Sequence, residues 1–253
     1  MRLFCWLLFL FLIAMNTQVS GQNNRLNHSN TIGWYNYFGT FKLADKWGIH
    51  TEYQWRREQV ITNWQQSLAR VGINYRPNSG VLFRVGYAWI ETFPYGEFPL
   101  NSLGRDFTEH RIFQMAQLFH KQANVQLSHR FMLEQRFVGR YSSADVTKED
   151  EFPLLHRMRY MFRADMPLSK NNPAKSPYLA VYDEVMIGFG PNVNANVFDQ
   201  NRIGVLIGKP LTKAVRLEGG YLNQTVQFGR LINGQNVFQY NNGLIINTYV
   251  QIN

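Results

Sequence analysis

The sequence predicts an all-β fold, a single antiparallel transmembrane up-and-down β-barrel of about 10–12 strands that follows an N-terminal signal peptide. Three observations predict it: apolar and polar residues alternate along the strands, the connections alternate in length, and the N-terminus resembles a secretory signal. The period is clearest over residues 47–56. Trp47 and Trp55 share one face of this strand, whereas Glu52 and Arg56 lie on the other. Aromatic residues on one side and charges on the other indicate lipid outside and a polar lumen inside.

The first 21 residues have the three parts of a secretory signal. Arg2 supplies the positive charge, residues 3–15 are almost all apolar, and Val19-Ser20-Gly21 provide a cleavage site. The apolar stretch is short for a helix that spans a membrane, which argues against an N-terminal anchor. We therefore predict a signal peptide over 1–21, an outer-membrane β-barrel over 22–253, and location in the cell outer membrane.

The composition excludes several kinds of chemistry. Cys5 is the single cysteine and lies in the leader, so the mature chain is expected to lack disulfides and cysteine-based zinc sites. Aromatic residues make up 15% of the chain and charged residues 17%. The net charge of +9 could indicate nucleic-acid binding. Export argues against it, so no nucleic-acid partner is predicted.

Eleven strand candidates follow one another along the chain, and each is long enough to cross a membrane at a tilt. They span residues 30–43, 47–57, 64–76, 81–91, 106–119, 124–138, 153–167, 177–190, 199–210, 214–226 and 237–252. The fourth, sixth and last have the clearest apolar faces. These faces comprise Val81, Phe83, Val85, Tyr87 and Trp89, then Val125, Leu127, Phe131, Leu133 and Phe137, and finally Phe238, Tyr240, Leu244, Ile246, Val250 and Ile252.

The connections alternate between short and long, as in outer-membrane barrels with short periplasmic turns. The short ones are 44–46, 77–80, 120–123 and 211–213, and the long ones are 58–63, 92–105, 139–152, 191–198 and 227–236. One long loop contains an aromatic patch at residues 93–98, which we expect to lie on the barrel rim rather than to bind a partner.

The strand count raises a difficulty. An antiparallel barrel with both termini on the periplasmic side needs an even number of strands, and we count eleven. The sequence leaves two solutions open. Residues 24–32 could form a twelfth strand, or one candidate could be false, which would leave ten.

The polar face of the strands repeatedly carries arginine and glutamate. The residues on this parity are Glu52, Arg56, Arg70, Arg84, Glu109, Arg111, Arg130, Glu134, Arg136, Arg157, Arg159, Arg163, Glu184, Arg202, Arg216 and Glu218. An arginine that faces lipid at mid-depth costs about 2–4 kcal/mol, so these side chains are expected to point into the lumen. Arginines outnumber glutamates about two to one in this set, which predicts a positive lumen.

Three uses of such a lumen are open: a narrow anion-preferring passage, a pocket for an acidic ligand, or a structural barrel plugged by its own Arg–Glu pairs. We favour the plugged barrel, because ten or twelve strands enclose a narrow interior. The expected partners are outer-membrane lipid, the barrel-assembly machinery and a small anionic solute.

Enzymatic alternatives have weak support. An outer-membrane hydrolase acting on lipid or lipopolysaccharide could use Ser128, His129 or Ser67, but no GxSxG motif is present. Glu184 is expected to face the lumen and Asp183 to face outward. The six histidines show no spacing typical of metal ligands, so neither a metal nor a cofactor is predicted. A secreted soluble barrel that binds an apolar ligand is a further alternative.

Several short motifs together resemble an uncharacterised outer-membrane barrel family of Bacteroidota-type bacteria, domain of unknown function 2490. They are Lys46-Trp47 with Glu52 and Arg56, Glu109-His110-Arg111 with Gln114, Tyr182-Asp183-Glu184, Phe198-Asp199-Gln200-Asn201-Arg202, and Glu218-Gly219-Gly220-Tyr221-Leu222-Asn223-Gln224. The resemblance covers most of the mature chain. It implies an outer-membrane β-barrel and supplies no established activity and no catalytic residues.

Overall fold

A computed structural model describes residues 25–169 and 175–252 of the chain. The predicted signal peptide over 1–21 lies outside these residues. Eleven strands form one closed barrel, which confirms the predicted all-β fold. Within the described ranges, no helix is both long enough and apolar enough to cross a membrane.

The strands are long, and each follows a segment of alternating side chains. They are β1 Arg25–Lys42, β2 Trp47–Glu58, β3 Asn63–Asn78, β4 Val81–Thr92, β5 Phe107–Gln122, β6 Val125–Val138, β7 Leu154–Pro167, β8 Tyr178–Phe189, β9 Phe198–Pro210, β10 Val215–Ile232 and β11 Gln235–Ile252. Each of the eleven sequence candidates corresponds to one of these strands.

A parallel seam closes the barrel. Consecutive strands pair antiparallel, whereas β1 and β11 run parallel from Arg25–Asn236 to Phe41–Ile252. Parallel closure removes the need for an even count, so the expectation of ten or twelve strands does not hold. Residues 25–32 are not a separate strand, because they form the first part of β1.

The two rims differ, and we name them by their connections. The long-loop rim carries the β2–β3, β4–β5, β6–β7, β8–β9 and β10–β11 links and the start of β1. The short-turn rim carries the remaining links and the end of β11. Its links are short except β7–β8, which spans the ten residues 168–177 and departs from the alternation of short and long connections. The prediction of a long link over 227–236 is wrong. Here β10 and β11 continue to a two-residue turn at Asn233 and Gly234, whose φ angles of 51° and 73° match a tight hairpin turn.

The outer face of the barrel is apolar. Val85, Ile73 and Trp89 are each at least half exposed on neighbouring strands. Rings from adjacent strands contact each other near both rims. Trp47 packs against Tyr75 at the short-turn rim, with 4.7 Å between ring centroids and the rings tilted by 41°. An aromatic group comprising Tyr35, Trp55, Trp64 and Phe93 lies at the long-loop rim.

The separation of these two aromatic groups along the barrel axis can be compared with the height of the apolar band in membrane barrels. Trp47 and Trp55 are eight residues apart on β2. At about 3.3 Å per residue and a tilt of about 40°, their separation along the barrel axis is roughly 20 Å. This value approaches the height of about 25 Å that is typical of the apolar band of an outer-membrane barrel.

The lumen also contains apolar residues that the charge pattern did not predict. One buried cluster lies inside β1 and β8–β11 and contains Ile32, Trp34, Tyr178, Ala180, Leu206, Leu222 and Ile245. A second lies inside β4–β6 and contains Leu82, Phe113, Met115 and Met132. A third cluster inside β3 and β4 contains Leu68, Ala88 and Ile90. The inner face therefore combines charged residues with apolar clusters.

Candidate functional site

All sixteen predicted lumen residues lie on the inner face. Those that are buried are Glu52, Arg56, Arg70, Glu109, Arg111, Glu134, Arg157, Arg159, Glu184, Arg202 and Glu218, and those that are partly buried are Arg84, Arg130, Arg136, Arg163 and Arg216. The strict two-residue period explains this placement, since one parity of each strand faces the interior.

Glu134 lies at the centre of the charged network and is 0% exposed. Arg157 donates to it from Nε at 2.7 Å, and Arg159 donates from a terminal nitrogen at 2.9 Å. Arg111 and Arg70 lie at 3.7 and 3.9 Å from the same carboxylate. Four arginines on β3, β5 and β7 thus share one buried counter-charge on β6.

Other carboxylates extend this network around the wall. Glu184 on β8 accepts from Arg130 at 2.7 Å and from Arg159 at 2.7 Å. Glu52 on β2 accepts from Arg70 at 2.8 Å. Since Arg70 on β3 also approaches Glu134 on β6, the network crosses the lumen rather than following neighbouring strands only. Long charged side chains therefore fill the middle of the barrel.

A second centre lies nearer the short-turn rim at Glu218, which is also 0% exposed. Arg163 on β7 donates to this carboxylate on β10 at 2.5 Å. Tyr178 donates at 2.6 Å and Tyr249 at 3.2 Å. Glu218 thus ties four strands together through its two oxygens.

Two β-bulges place inward residues that strict alternation did not predict. Asp199 lies at a register shift between β8 and β9, so it turns inward beside Arg202, although the two are of opposite parity. It pairs with Arg157 at 2.5 Å and with Arg136 at 3.6 Å. Gln65, at a similar shift between β2 and β3, is buried and accepts from Trp34 Nε1 at 2.7 Å.

A cavity of about 340 Å³ lies at the long-loop rim, above the network. The β4–β5 loop folds into it, so that Tyr95 is only 6% exposed and accepts from Asn241 at 3.3 Å. Burial raises the pKa of the Tyr95 hydroxyl above its usual value, which keeps it neutral. The aromatic patch at 93–98 is therefore packed against the rim, with Phe98 against an apolar cluster.

The side chains considered for hydrolysis do not converge. Ser128 is buried on the inner face, whereas His129 faces outward and contacts the Tyr160 hydroxyl at 2.8 Å. Ser67 contacts Tyr53 at 3.2 Å on the exposed side. Asp183 also lies on the outer face, where it accepts from Asn201 at 2.6 Å. No group of three metal-ligating side chains occurs in the parts of the chain that the structure describes.

Comparison with known proteins gives one family match. No curated protein shows significant similarity to the chain. A family model described as "Protein of unknown function (DUF2490)" matches residues 31–231, from β1 through most of β10. The match includes the central carboxylates of the network and confirms the resemblance inferred from the short motifs. The chain therefore belongs to the DUF2490 family of proteins of unknown function.

Proposed function

We propose that this protein is an outer-membrane β-barrel whose lumen is plugged at mid-height by its own Arg–Glu network. In this role it is a rigid, non-conducting element that exposes its long loops outside the cell. The observation that carries the proposal is the arrangement around Glu134. Four arginines from three other strands converge on this fully buried carboxylate.

The outer face supports a lipid environment. Ile73, Val85 and Trp89 would meet water in a soluble barrel, together with many other large apolar side chains on the same face. Soluble monomers rarely expose continuous apolar surface on this scale. Two aromatic groups about 20 Å apart match the girdles at the interfaces of membrane barrels. The same features disfavour the secreted soluble barrel as an alternative.

Membrane location is tested by fractionating cells that express the full chain with its leader. We expect the protein in the outer-membrane fraction, and we expect its gel mobility to change on heating in detergent, as is typical of folded membrane barrels. Recovery of folded protein in the soluble periplasmic fraction would contradict the proposal. Recovery in inclusion bodies is resolved by refolding the chain into lipid vesicles and repeating the mobility assay.

A further inference from the structure

The cavity at the long-loop rim has more positive charge than its own carboxylates can neutralise. Six arginines line it: Arg56, Arg111, Arg136, Arg140, Arg202 and Arg230. Its two acidic residues, Glu109 and Asp199, are already engaged. Glu109 accepts from Arg136 at 2.7 Å and also from Arg111, and Asp199 lies 3.6 Å from Arg136.

Arg56 is the first cation without a counter-charge. It is 6% exposed, and no carboxylate lies within 4.0 Å of it among the residues that the structure describes. Its guanidinium donates to the neutral amide oxygens of Gln54 at 2.9 Å and Gln66 at 2.5 Å. It stacks over the ring of Trp34 at 3.9 Å from the centroid.

Arg202 is a second buried cation, and its charge is only weakly compensated. It is 8% exposed, donates to Gln200 at 2.8 Å, and reaches Glu184 only at 3.7 Å. The nearest carboxylate oxygen to Arg202 is Glu184 Oε2, and Oε1 of the same carboxylate accepts from Arg130 and Arg159, so three arginines share this one charge. The buried Nε of Arg202 has no hydrogen-bond partner. Its guanidinium also stacks over Trp34, at 4.9 Å from the centroid.

Two buried guanidinium groups on one indole ring favour the binding of an anion. A buried charge without a partner is strongly unfavourable, because the lost hydration is not replaced. Stacking on Trp34 offsets part of this cost but supplies no negative charge. The planar donor fork of arginine matches a carboxylate, phosphate or sulfate group.

The other lining residues favour a ligand that carries several hydroxyl groups in addition to its anionic group. Amide side chains surround the two arginines, among them Gln65, Gln66, Asn194, Gln200 and Gln224, and the rings of Tyr95 and Phe107 form part of the wall. An amide both donates and accepts hydrogen bonds, as sugar hydroxyls require. A volume of about 340 Å³ lies at the small end of the range for ligand pockets.

We propose that this cavity binds a small acidic sugar, whose carboxylate, phosphate or sulfate group is held by Arg56 and Arg202. This inference goes beyond the plugged barrel, since it concerns the space above the network. Free sugars and the head groups of glycolipids share this chemistry.

The test is calorimetric titration of the full mature chain in detergent, with folding verified by heat-dependent gel mobility. The probes are digalacturonic acid, glucose 6-phosphate, maltose and inorganic phosphate. We expect both acidic sugars to bind with an affinity that falls as salt is raised. Maltose should not bind, and inorganic phosphate should bind at least tenfold more weakly than glucose 6-phosphate.

Substitution locates the site. Arg202→Gln and Arg56→Gln should each weaken binding of the acidic sugars at least tenfold while the barrel stays folded, because each removes an unneutralised cation. Arg216→Gln is the matched control. Arg216 also lies 3.7 Å from a luminal carboxylate and has an unpartnered Nε, but it lies at the short-turn rim and outside the cavity. It should leave binding unchanged.

Three results would overturn the proposal. They are absence of binding by every acidic probe to folded protein, equal binding of inorganic phosphate and glucose 6-phosphate, and equal loss of binding in the Arg216→Gln control. None of these results bears on membrane location or on closure of the lumen, so they are distinguishable from failure of the proposed function. Tighter binding of a lipid-linked acidic sugar in mixed micelles than of the free sugar would identify a glycolipid as the source.

Discussion

Glu134 is the residue on which four luminal arginines depend for their counter-charge. Arg157 and Arg159 are both more than nine-tenths buried and both donate to it directly. We predict that Glu134→Gln, which keeps the size and removes the charge, destabilises the barrel by about 3–5 kcal/mol, because it leaves buried arginines without a partner. Urea unfolding in lipid vesicles, followed by gel mobility, measures the loss.

The control for this substitution is Glu151→Gln, since Glu151 is exposed on the β6–β7 loop. Its effect is expected to lie within about 0.5 kcal/mol of zero. Equal unfolding midpoints for the two variants would show that the network around Glu134 contributes little to stability.

A substitution at Val85 tests whether the outer face of the barrel contacts lipid. Val85 lies on β4 between Ile73 and Gln114 and is 57% exposed. We predict that Val85→Arg destabilises the barrel in lipid vesicles, lowering its free energy of unfolding by about 2–4 kcal/mol, since the new charge would face hydrocarbon. Leu103→Arg, an exposed apolar position on a loop, should have almost no effect. Equal stability of the two variants would place Val85 in water rather than in lipid.

Strict alternation located the sixteen charged residues but not Asp199 or Gln65. Parity holds only while a strand keeps its register with its neighbour. Register shifts at Met186/Ile187 and Arg56/Arg57 insert an extra residue and reverse the direction of the side chains beyond it. No residue type in these segments marks the shifts. The Asp199 partner of Arg157 therefore becomes visible only in three dimensions.

At the scale of elements, the parallel seam between β1 and β11 is the most distinctive feature. The pairing places Tyr35 opposite Ile246 on the outer face. The only natural cysteine is Cys5, in the predicted leader. We predict that Tyr35→Cys with Ile246→Cys forms a disulfide on mild oxidation, because paired residues on adjacent strands lie within the range of about 4.4–6.8 Å between Cα atoms that a disulfide needs.

The control pairs Tyr35→Cys with Asn242→Cys. These positions are four residues out of register, or roughly 13 Å along the strand, which is too far for a disulfide. A non-reducing gel of unheated and heated samples reads out both the cross-link and the fold. Equal cross-linking in the two pairs, or cross-linking in the control alone, would contradict the parallel register.

The strands themselves were predictable from the sequence, whereas their closure was not. Each strand is predicted by the alternation of apolar and polar side chains within its own segment, which is a local property of the sequence. Whether β1 meets β11 in parallel depends on backbone pairing between residues more than 200 positions apart, and no side-chain pattern specifies it. The β10–β11 hairpin was missed because Asn, Gln and Gly residues over 227–236 resemble a loop.

For the whole molecule, the basic character of the chain comes largely from arginines inside the barrel. Eleven arginines lie on the inner face, where carboxylates on six strands pair with most of them. Toward the long-loop rim, Arg56 has no carboxylate within 4.0 Å in the described chain, and Arg202 beside it reaches Glu184 only at 3.7 Å. The proposed plug at mid-height is thus combined with a positively charged cavity at the long-loop rim.

The proposed function depends above all on closure of the lumen at mid-height, which single-channel recording of the mature protein in a planar bilayer can detect. The sample must be shown to be folded and inserted by its heat-dependent gel mobility after recovery from the membrane. We expect no discrete conductance steps, because the network around Glu134 fills the lumen. Discrete anion-selective steps that are reduced in Arg136→Ala and Arg159→Ala would contradict it and make the arginine lumen a conducting path.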